Sequence, residues 1–337
     1  MGVLNPRRNE QEAAFEQDIR PRSFDQFIGQ GRVVDNLRVF VEAAKKRGDV
    51  LDHVLLSGPP GLGKTTLAAI VANELGTRFV ASSGPVLERP ADLAGILTDL
   101  RRGDVLFIDE IHRLPRIVEE YLYSAMEDFS INIVLDHGAA ARSVRLNLKR
   151  FTLIGATTRE GLLTGAFRAR FGVTLKLGFY PPEELARIVQ RSAEILEVPV
   201  RPDAAVALAE RARGTPRVAN RLLRRLRDFA QVKSDGTVTP ELARHALTAL
   251  GIDGEGCDTT DRAILNALLQ HGGGPVGIKT IAVSVGEEPD TIEQVYEPYL
   301  IRKGFLRKTQ RGRVLSGSGR KYLHAARSQP QGSLFNE

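Results

Sequence analysis

At 337 residues the chain exceeds one ordinary hydrophobic core, so two or three domains are expected. Its 42% hydrophobic and 26% charged residues fit a soluble globular class; no apolar stretch approaches membrane-spanning length, and residues 1–20 are polar where a secretory signal would be apolar. A single cysteine, Cys257, excludes a disulfide framework and fits a reducing, cytoplasmic setting, six histidines in no paired spacing argue against a zinc site, and the net charge of +6 says little until its distribution is read.

The first informative segment is His53-Val54-Leu55-Leu56, a short apolar run that predicts a buried strand. It leads into Gly58-Pro59-Pro60-Gly61-Leu62-Gly63-Lys64-Thr65, which matches the phosphate-binding pattern G-x-x-x-x-G-K-[ST]. A helix is predicted from Thr65 to Leu75, with Leu67, Ile70, Val71 and Leu75 on one face. Glycines such as Gly61 and Gly63 let backbone N–H groups turn onto phosphate, and the helix N-terminus adds positive potential. Lys64 is expected on the β- and γ-phosphates and the Thr65 hydroxyl on Mg²⁺, with Thr66 also in the nucleotide site. Strand, loop and helix together predict binding of a nucleoside triphosphate.

Further apolar runs at Phe79–Ala81, Val105–Ile108 and Phe151–Gly155 alternate with helical patterns, predicting an α/β domain with a parallel sheet flanked by helices. The Val105–Ile108 run ends in Asp109-Glu110. A carboxylate pair at the end of a buried strand suits Asp109 to a Mg²⁺ shell and Glu110 to activating water, which points to hydrolysis as well as binding. Ile131–Leu135 and Ser143–Leu148 alternate like paired strands around an apolar tip, a candidate partner site. The Phe151–Gly155 run ends in Ala156-Thr157-Thr158-Arg159, where either threonine hydroxyl could meet the γ-phosphate or the attacking water. Arg168 and Arg170 stand beside glycines, and their spacing alone does not distinguish a catalytic guanidinium from a solvated face.

Tyr180-Pro181-Pro182 breaks the alternation, and helices are predicted over Glu183–Leu196, Pro202–Arg213, Pro216–Lys233 and Pro240–Ala249. Five arginines between Arg217 and Arg227 fit a solvated helix face as well as they fit a ligand site. Three glycines in Gly251–Gly256 predict a linker. Beyond it, helical patterns over Asp258–Leu269, Gly277–Val285 and Pro289–Leu300 precede two strands, Gly304–Lys308 and Arg313–Leu315. That is the layout of a winged helix, which puts its last helix in the major groove and lays its wing along the backbone. Nine Lys or Arg residues and no acid fall between Arg302 and Arg327, with Lys308, Arg311 and Arg313 the candidate phosphate contacts. Beyond Phe305 the wing has no aromatics for stacking on single strands, which favours duplex DNA. From Ser328 the tail reads as flexible.

These residues converge on one resemblance, over about residues 16–325. Arg20-Pro21 with Phe27-Ile28-Gly29-Gln30, the stretch from Gly103 through Asp109-Glu110-Ile111-His112-Arg113-Leu114, Ala125 to Phe129, Phe151 to Arg159, Arg170-Phe171-Gly172, Arg213 to Arg217, Tyr296 to Leu300 and Arg311-Gly312-Arg313 carry it. The chain resembles the RuvB family of AAA+ ATPases, bacterial motors of Holliday-junction branch migration in recombination and repair. The resemblance implies a large ATPase domain over 1–180 with a docking hairpin at about 131–148, a helical lid over 181–254, a winged helix over 255–327 and a tail over 328–337.

The resemblance also implies roles for residues. Arg170 would be an arginine finger completing the neighbouring subunit's site, Thr158 (or Thr157) the strand-end sensor and Arg217 the sensor in the lid. Ile19, Arg20 and Tyr180 would grip adenine, and Glu127, Asp128 and Phe129 would join the nucleotide site. A finger acting in trans requires a ring, in this family a homohexamer around duplex DNA, working with RuvA, docked on the hairpin, and with RuvC. Departures from the family pattern are Ala139 at the hairpin tip, Lys149-Arg150 after it, and Lys308 in the wing. Outside the resemblance, Gln331-Gly332-Ser333-Leu334-Phe335 looks like a peptide that binds the replication sliding clamp. Two other readings are a clamp-loader-like ATPase switch, which would more often end in a helical collar, and an ATP-responsive winged-helix regulator.

Overall fold

The computed structural model describes residues 18–134 and 143–328, in two compact units that divide at Tyr180–Pro181. The first unit opens with α1 (Gly31–Arg47) and is built on a five-stranded parallel sheet of β1 (Val54–Ser57), β2 (Phe79–Ser83), β3 (Val105–Asp109), β6 (Thr152–Thr157) and β7 (Val173–Lys176) in the order β2-β3-β6-β1-β7. Helices α2 (Lys64–Leu75), α3 (Pro90–Asp99) and α4 (Arg116–Glu127) and the short α5 (Gly165–Ala169) complete it. The central strands β1 and β6 are buried along their whole length, as their unbroken apolar runs require. Edge strand β7 was missed by the sequence reading because its Val-Thr-Leu-Lys alternation leaves only Leu175 buried.

His53 joins three elements beneath this sheet. Its Nδ1 accepts the Leu153 N–H at 2.9 Å, so Nε2 carries the proton and donates to the Met126 carbonyl at 3.1 Å. Burial lowers its pKa, which keeps the ring neutral and the arrangement fixed. The expected hairpin is present as an antiparallel pair outside the main sheet, β4 (Ser130–Val134) with β5 (Ser143–Asn147); its tip lies outside the described residues, as does the clamp-like peptide at 331–335.

The second unit begins with a lid of four helices, α6 (Pro182–Ile195), α7 (Pro202–Arg211), α8 (Pro216–Lys233) and α9 (Pro240–Ala249), each carrying proline in its first turn, where no amide donor is missed. Helix α7 stops two residues before the predicted end, because Arg213 (φ 56°) and Gly214 (φ 70°) both turn left-handed.

Next come α10 (Thr259–Gln270) and α11 (Ile278–Val285). The helix predicted over Pro289–Leu300 is divided: a turn at Pro289–Thr291, a π-helical stretch at Ile292–Tyr296 and then α12 (Glu297–Arg302). Pro298 supplies no N–H for the carbonyl one turn back, and its ring crowds that carbonyl, which accounts for the widened turn. Strands β8 (Leu306–Thr309) and β9 (Gly312–Leu315) form the wing, and Val276 makes a single antiparallel bridge to Arg313. A final helix, α13 (Gly317–Ser328), was not foreseen; its glycine-rich start hides it, but Tyr322 stacks on Phe305 at 4.6 Å and Leu323 is buried.

Candidate nucleotide site and nucleic-acid interface

The phosphate loop follows the C-terminal end of β1, where open parallel sheets bind ligands. Gly58, Gly61 and Gly63 have φ of 138°, 79° and 100°, values that side chains rarely adopt. A Cβ on Gly58 would lie 2.5 Å from the Leu177 carbonyl oxygen, and one on Gly63 would lie 3.1 Å from the Phe27 ring. The loop therefore has its curled form built in. The Lys64 ammonium is buried in its curve, donating to the Gly58 and Pro59 carbonyls at 2.8 and 2.9 Å. Thr65 and Thr66 sit half-buried in the first turn of α2. Among the described residues no cluster of three His, Cys, Asp or Glu could hold a metal, so a cation here would need the phosphates as ligands. Hydroxyl, carboxylate and phosphate oxygens are the donor set Mg²⁺ prefers.

Asp109 and Glu110 end β3, two strands from β1. Glu110 has φ 47° and ψ 45°, a left-handed conformation that is costly for a side chain of this length and marks functional sites. Its amide donates to Asp109 Oδ1 at 3.0 Å, and its Oε2 accepts the Thr158 hydroxyl at 3.0 Å. The two threonines left open by the sequence face different partners. Thr158 meets Glu110, while fully buried Thr157 meets His112 Nδ1 at 2.9 Å and accepts the Arg159 N–H.

His112 was not singled out as a functional residue, yet its Nδ1 is also 3.3 Å from Glu110 Oε2. Burial lowers its pKa, so it stands beside the carboxylate as a neutral ring. Replacing His112 with alanine is expected to loosen Glu110, lowering kcat of ATP hydrolysis by about 10- to 100-fold with ATP affinity unchanged. His112→Asn, which keeps a polar atom near Nδ1, should recover part of the loss in the same steady-state assay.

Arg170 lies at the other end of the sheet. It precedes β7, whose first residue Val173 pairs with Val54 at the start of β1, and Gly172 abuts Asp52. The phosphate loop begins after Ser57, roughly 10 Å further along the strand. Buried Phe167 and Phe171 anchor the segment on both sides of Arg170. Glu127 receives the guanidinium through two contacts of 2.9 and 2.8 Å, and the Tyr123 ring lies 5.7 Å from it. Of the two candidate arginines, Arg170 is the one these residues hold in a defined orientation.

Glu127, Asp128 and Phe129, which the resemblance implies at a nucleotide site, stand at the end of α4 near the start of β1. Phe129 packs on His53 and Phe151 at 6.1 and 5.9 Å, at the N-terminal end of β1, and exposed Glu127 pairs with Arg170 there. They stand a strand's length from their own phosphate loop, on the face that carries Arg170.

Ile19 and Tyr180, at the two ends of the first unit, are both buried, and Arg20 is half-buried. The Tyr180 hydroxyl donates to the Leu62 carbonyl at 3.2 Å, and Gln30 bridges both backbone groups of Gly178 at 2.6 and 3.2 Å. The segments expected to grip adenine are thus tied to the loop itself. Arg217 stands half-buried at the second position of α8, in the other unit.

In the wing the structure revises one expectation. Lys308 and Arg313 face each other across β8 and β9. Arg313 is buried: it donates to both Glu297 oxygens and lies 3.5 Å from Glu293, which also takes Lys308 at 2.5 Å. Arg313 therefore cannot serve as a phosphate contact in this conformation; it holds the wing to α12. Arg311 at the turn and Arg307 on β8 are exposed. Arg311→Ala is expected to weaken duplex binding and flatten its salt dependence by about one unit of slope. Arg313→Ala should instead lower thermal stability, because it strands buried Glu297.

A phosphate loop on a five-stranded parallel sheet, a helical lid and a winged helix define a P-loop protein of the AAA+ class. The chain belongs to the RuvB family. Family models match its Holliday junction DNA helicase RuvB P-loop domain at 19–177, RuvB AAA lid domain at 180–253 and RuvB C-terminal winged helix domain at 254–324. A Holliday junction branch migration complex subunit RuvB of Salinibacter ruber is 58% identical over 94% of this chain and 91% of its own length. That of Flavobacterium psychrophilum is 54% identical over 98% of each. The solved RuvB Holliday junction branch migration motor of Thermotoga maritima superposes with TM-score 0.84 at 49% identity, covering 91% of this chain and 99% of its own. No helix of the described residues is long and apolar enough to cross a membrane.

Proposed function

We propose that the chain is the ATP-hydrolysing subunit of a ring motor, a homohexamer, that drives branch migration of Holliday junctions in the cytoplasm. The observation that carries this reading is the placement of Asp109, Glu110 and Thr158 at adjacent strand ends beside the phosphate loop, in a chain of the RuvB family. Lys64 binds the β- and γ-phosphates, and Glu110 takes the proton of the attacking water while Thr158 holds its carboxylate in line. Thr65 and Asp109 would hold Mg²⁺, which neutralises phosphate charge when bound. Ile19, Arg20 and Tyr180 hold the base. Arg217 senses nucleotide from the lid.

Arg170 completes the site of the neighbouring subunit. Its position at the far end of the sheet from its own phosphate loop supports action in trans. Exposed Arg307 and Arg311 hold duplex by its backbone without reading sequence, which suits a motor that moves along DNA. RuvA docks on the β4–β5 hairpin and RuvC joins the assembly. The winged helix disfavours a clamp-loader switch, and a strained glutamate beside the phosphate loop disfavours ATP as a passive effector. The test is movement of a synthetic four-way junction with and without RuvA: migration that requires ATP supports the motor. Sequence-specific binding without migration would favour the regulator.

A further inference from the structure

The glycine-rich stretch between lid and winged helix reads as a linker, and in the structure it is held by several hydrogen bonds. Asp253 accepts the amides of Glu255 and Cys257 at 2.9 and 3.0 Å, Arg262 at 3.2 Å and the Tyr322 hydroxyl. Arg262 also reaches back to the Gly251 carbonyl at 3.0 Å, at the end of the lid. The Glu255 carbonyl accepts the Tyr299 hydroxyl, and its carboxylate pairs with Lys303 at 2.9 Å. Gly256 passes so close to α7 that a Cβ there would lie 3.2 Å from the Arg211 carbonyl oxygen and 2.8 Å from the Tyr299 hydroxyl.

Arg213 crosses this junction from the lid side. It is 4% exposed, at a φ of 56° that favours glycine, and its Nε donates to the Gly256 carbonyl at 3.1 Å. Its guanidinium enters the first turn of α10, bonded to Asp261 and 3.4 Å from Asp258, with the Tyr299 ring 5.0 Å below. Those two carboxylates already cap α10 reciprocally, so one side chain from the lid is tied into the helix that opens the winged domain. Burial, with Asp258 alongside, pushes the Asp261 carboxyl up to about 7. Four residues after Arg213, on the same turn into α8, stands Arg217.

We propose that Arg213 bolts the lid to the winged helix, so that the two move as one rigid lever and a displacement of the lid reaches the DNA-holding wing undiminished. Arg213 is thus a positioning residue for coupling hydrolysis to DNA movement, with no part in hydrolysis itself. The inference rests on the motor reading above, but its first test does not.

Val232 on α8 and Val283 on α11 are 77% and 85% exposed, and the chain's own cysteine, Cys257, is buried. Spin labels on Val232→Cys and Val283→Cys, in labelled full-length chains diluted among unlabelled ones, report the distance from lid to winged helix by pulsed electron resonance. One narrow distribution, unchanged without nucleotide, with ADP and with a slowly hydrolysed ATP analogue, is expected. A nucleotide-dependent shift of more than roughly one helical turn, 5 Å, overturns the rigid lever.

With Arg213→Ala the distribution should broaden, and junction movement per ATP should fall about 10-fold while DNA-stimulated ATPase stays within about two-fold. ATPase and migration falling in the same proportion would make Arg213 merely structural. If Arg213→Ala does not fold, Tyr299→Phe, which removes only the hydroxyl on Glu255, must show the same uncoupling in weaker form. Failure of wild type to migrate junctions would sink the motor reading and leave the distance result standing by itself.

Discussion

Arg170→Ala is expected to reduce ATP turnover by about 10³-fold or more, the scale of an arginine finger. Loss of stability does not explain such an effect. The Arg170 side chain is 38% exposed and its partner Glu127 is 53% exposed, and exposed pairs contribute little to folding, about 0–1 kcal/mol. The unfolding midpoint of the variant should therefore sit close to wild type, and its affinity for ATP should change little, since Lys64 and the glycine loop stay intact. What is lost is positive charge aimed at a phosphoryl group that belongs to another chain. Free Arg170 should exchange Glu127 for that phosphate, so Glu127→Gln is expected to leave turnover standing while Arg170→Ala removes it. Steady-state ATPase on duplex DNA, alongside thermal melts of both variants, checks this.

Glu110→Gln should be as damaging for the opposite reason. The amide keeps the shape and the Thr158 contact but cannot take a proton, a loss of about 10²–10⁴ in turnover. Binding of a fluorescent ATP analogue should be unchanged or slightly tighter, because a negative charge near the γ-phosphate has gone. A ring of such subunits would stay loaded with ATP and hold its junction without moving it. Retained turnover would transfer the role of base to another group, and among the described residues His112 and Asp109 stand beside Glu110.

The catalytic core was legible because its strands are buried on both faces and so read as unbroken apolar runs: Val54 to Leu56, Val105 to Ile108 and Phe151 to Gly155. Edge strand β7, half polar, carried no such run. Counting charge in the wing found the basic stretch but not the direction of its side chains. Lys308 and Arg313 lie opposite each other on the face that meets Glu293 and Glu297, a fact of register, while Arg307 on the other face stays exposed. The choice between Thr157 and Thr158 is likewise one of direction, since neighbours on a strand point to opposite sides. The Arg213 junction could not be read locally, because its partners Asp258 and Asp261 lie 45 and 48 residues away and nothing in periodicity links them. Pro298, by contrast, was a visible signal: a proline inside a helical pattern predicts a break, and the π-helical turn stands just before it.

The central claim is that each phosphate loop is half a site, completed by Arg170 of the next subunit. Mixing two inactive variants tests it most directly. Lys64→Ala lacks the phosphate lysine but keeps Arg170, and Arg170→Ala keeps the loop but lacks the finger. In randomly mixed rings an intact loop meets an intact finger at about one interface in four, as expected for head-to-tail contacts. ATPase should therefore rise from near zero in either variant alone to about a quarter of the wild-type value in the equal mixture. A mixture as inactive as its components would place the finger and the loop in the same chain and contradict the account.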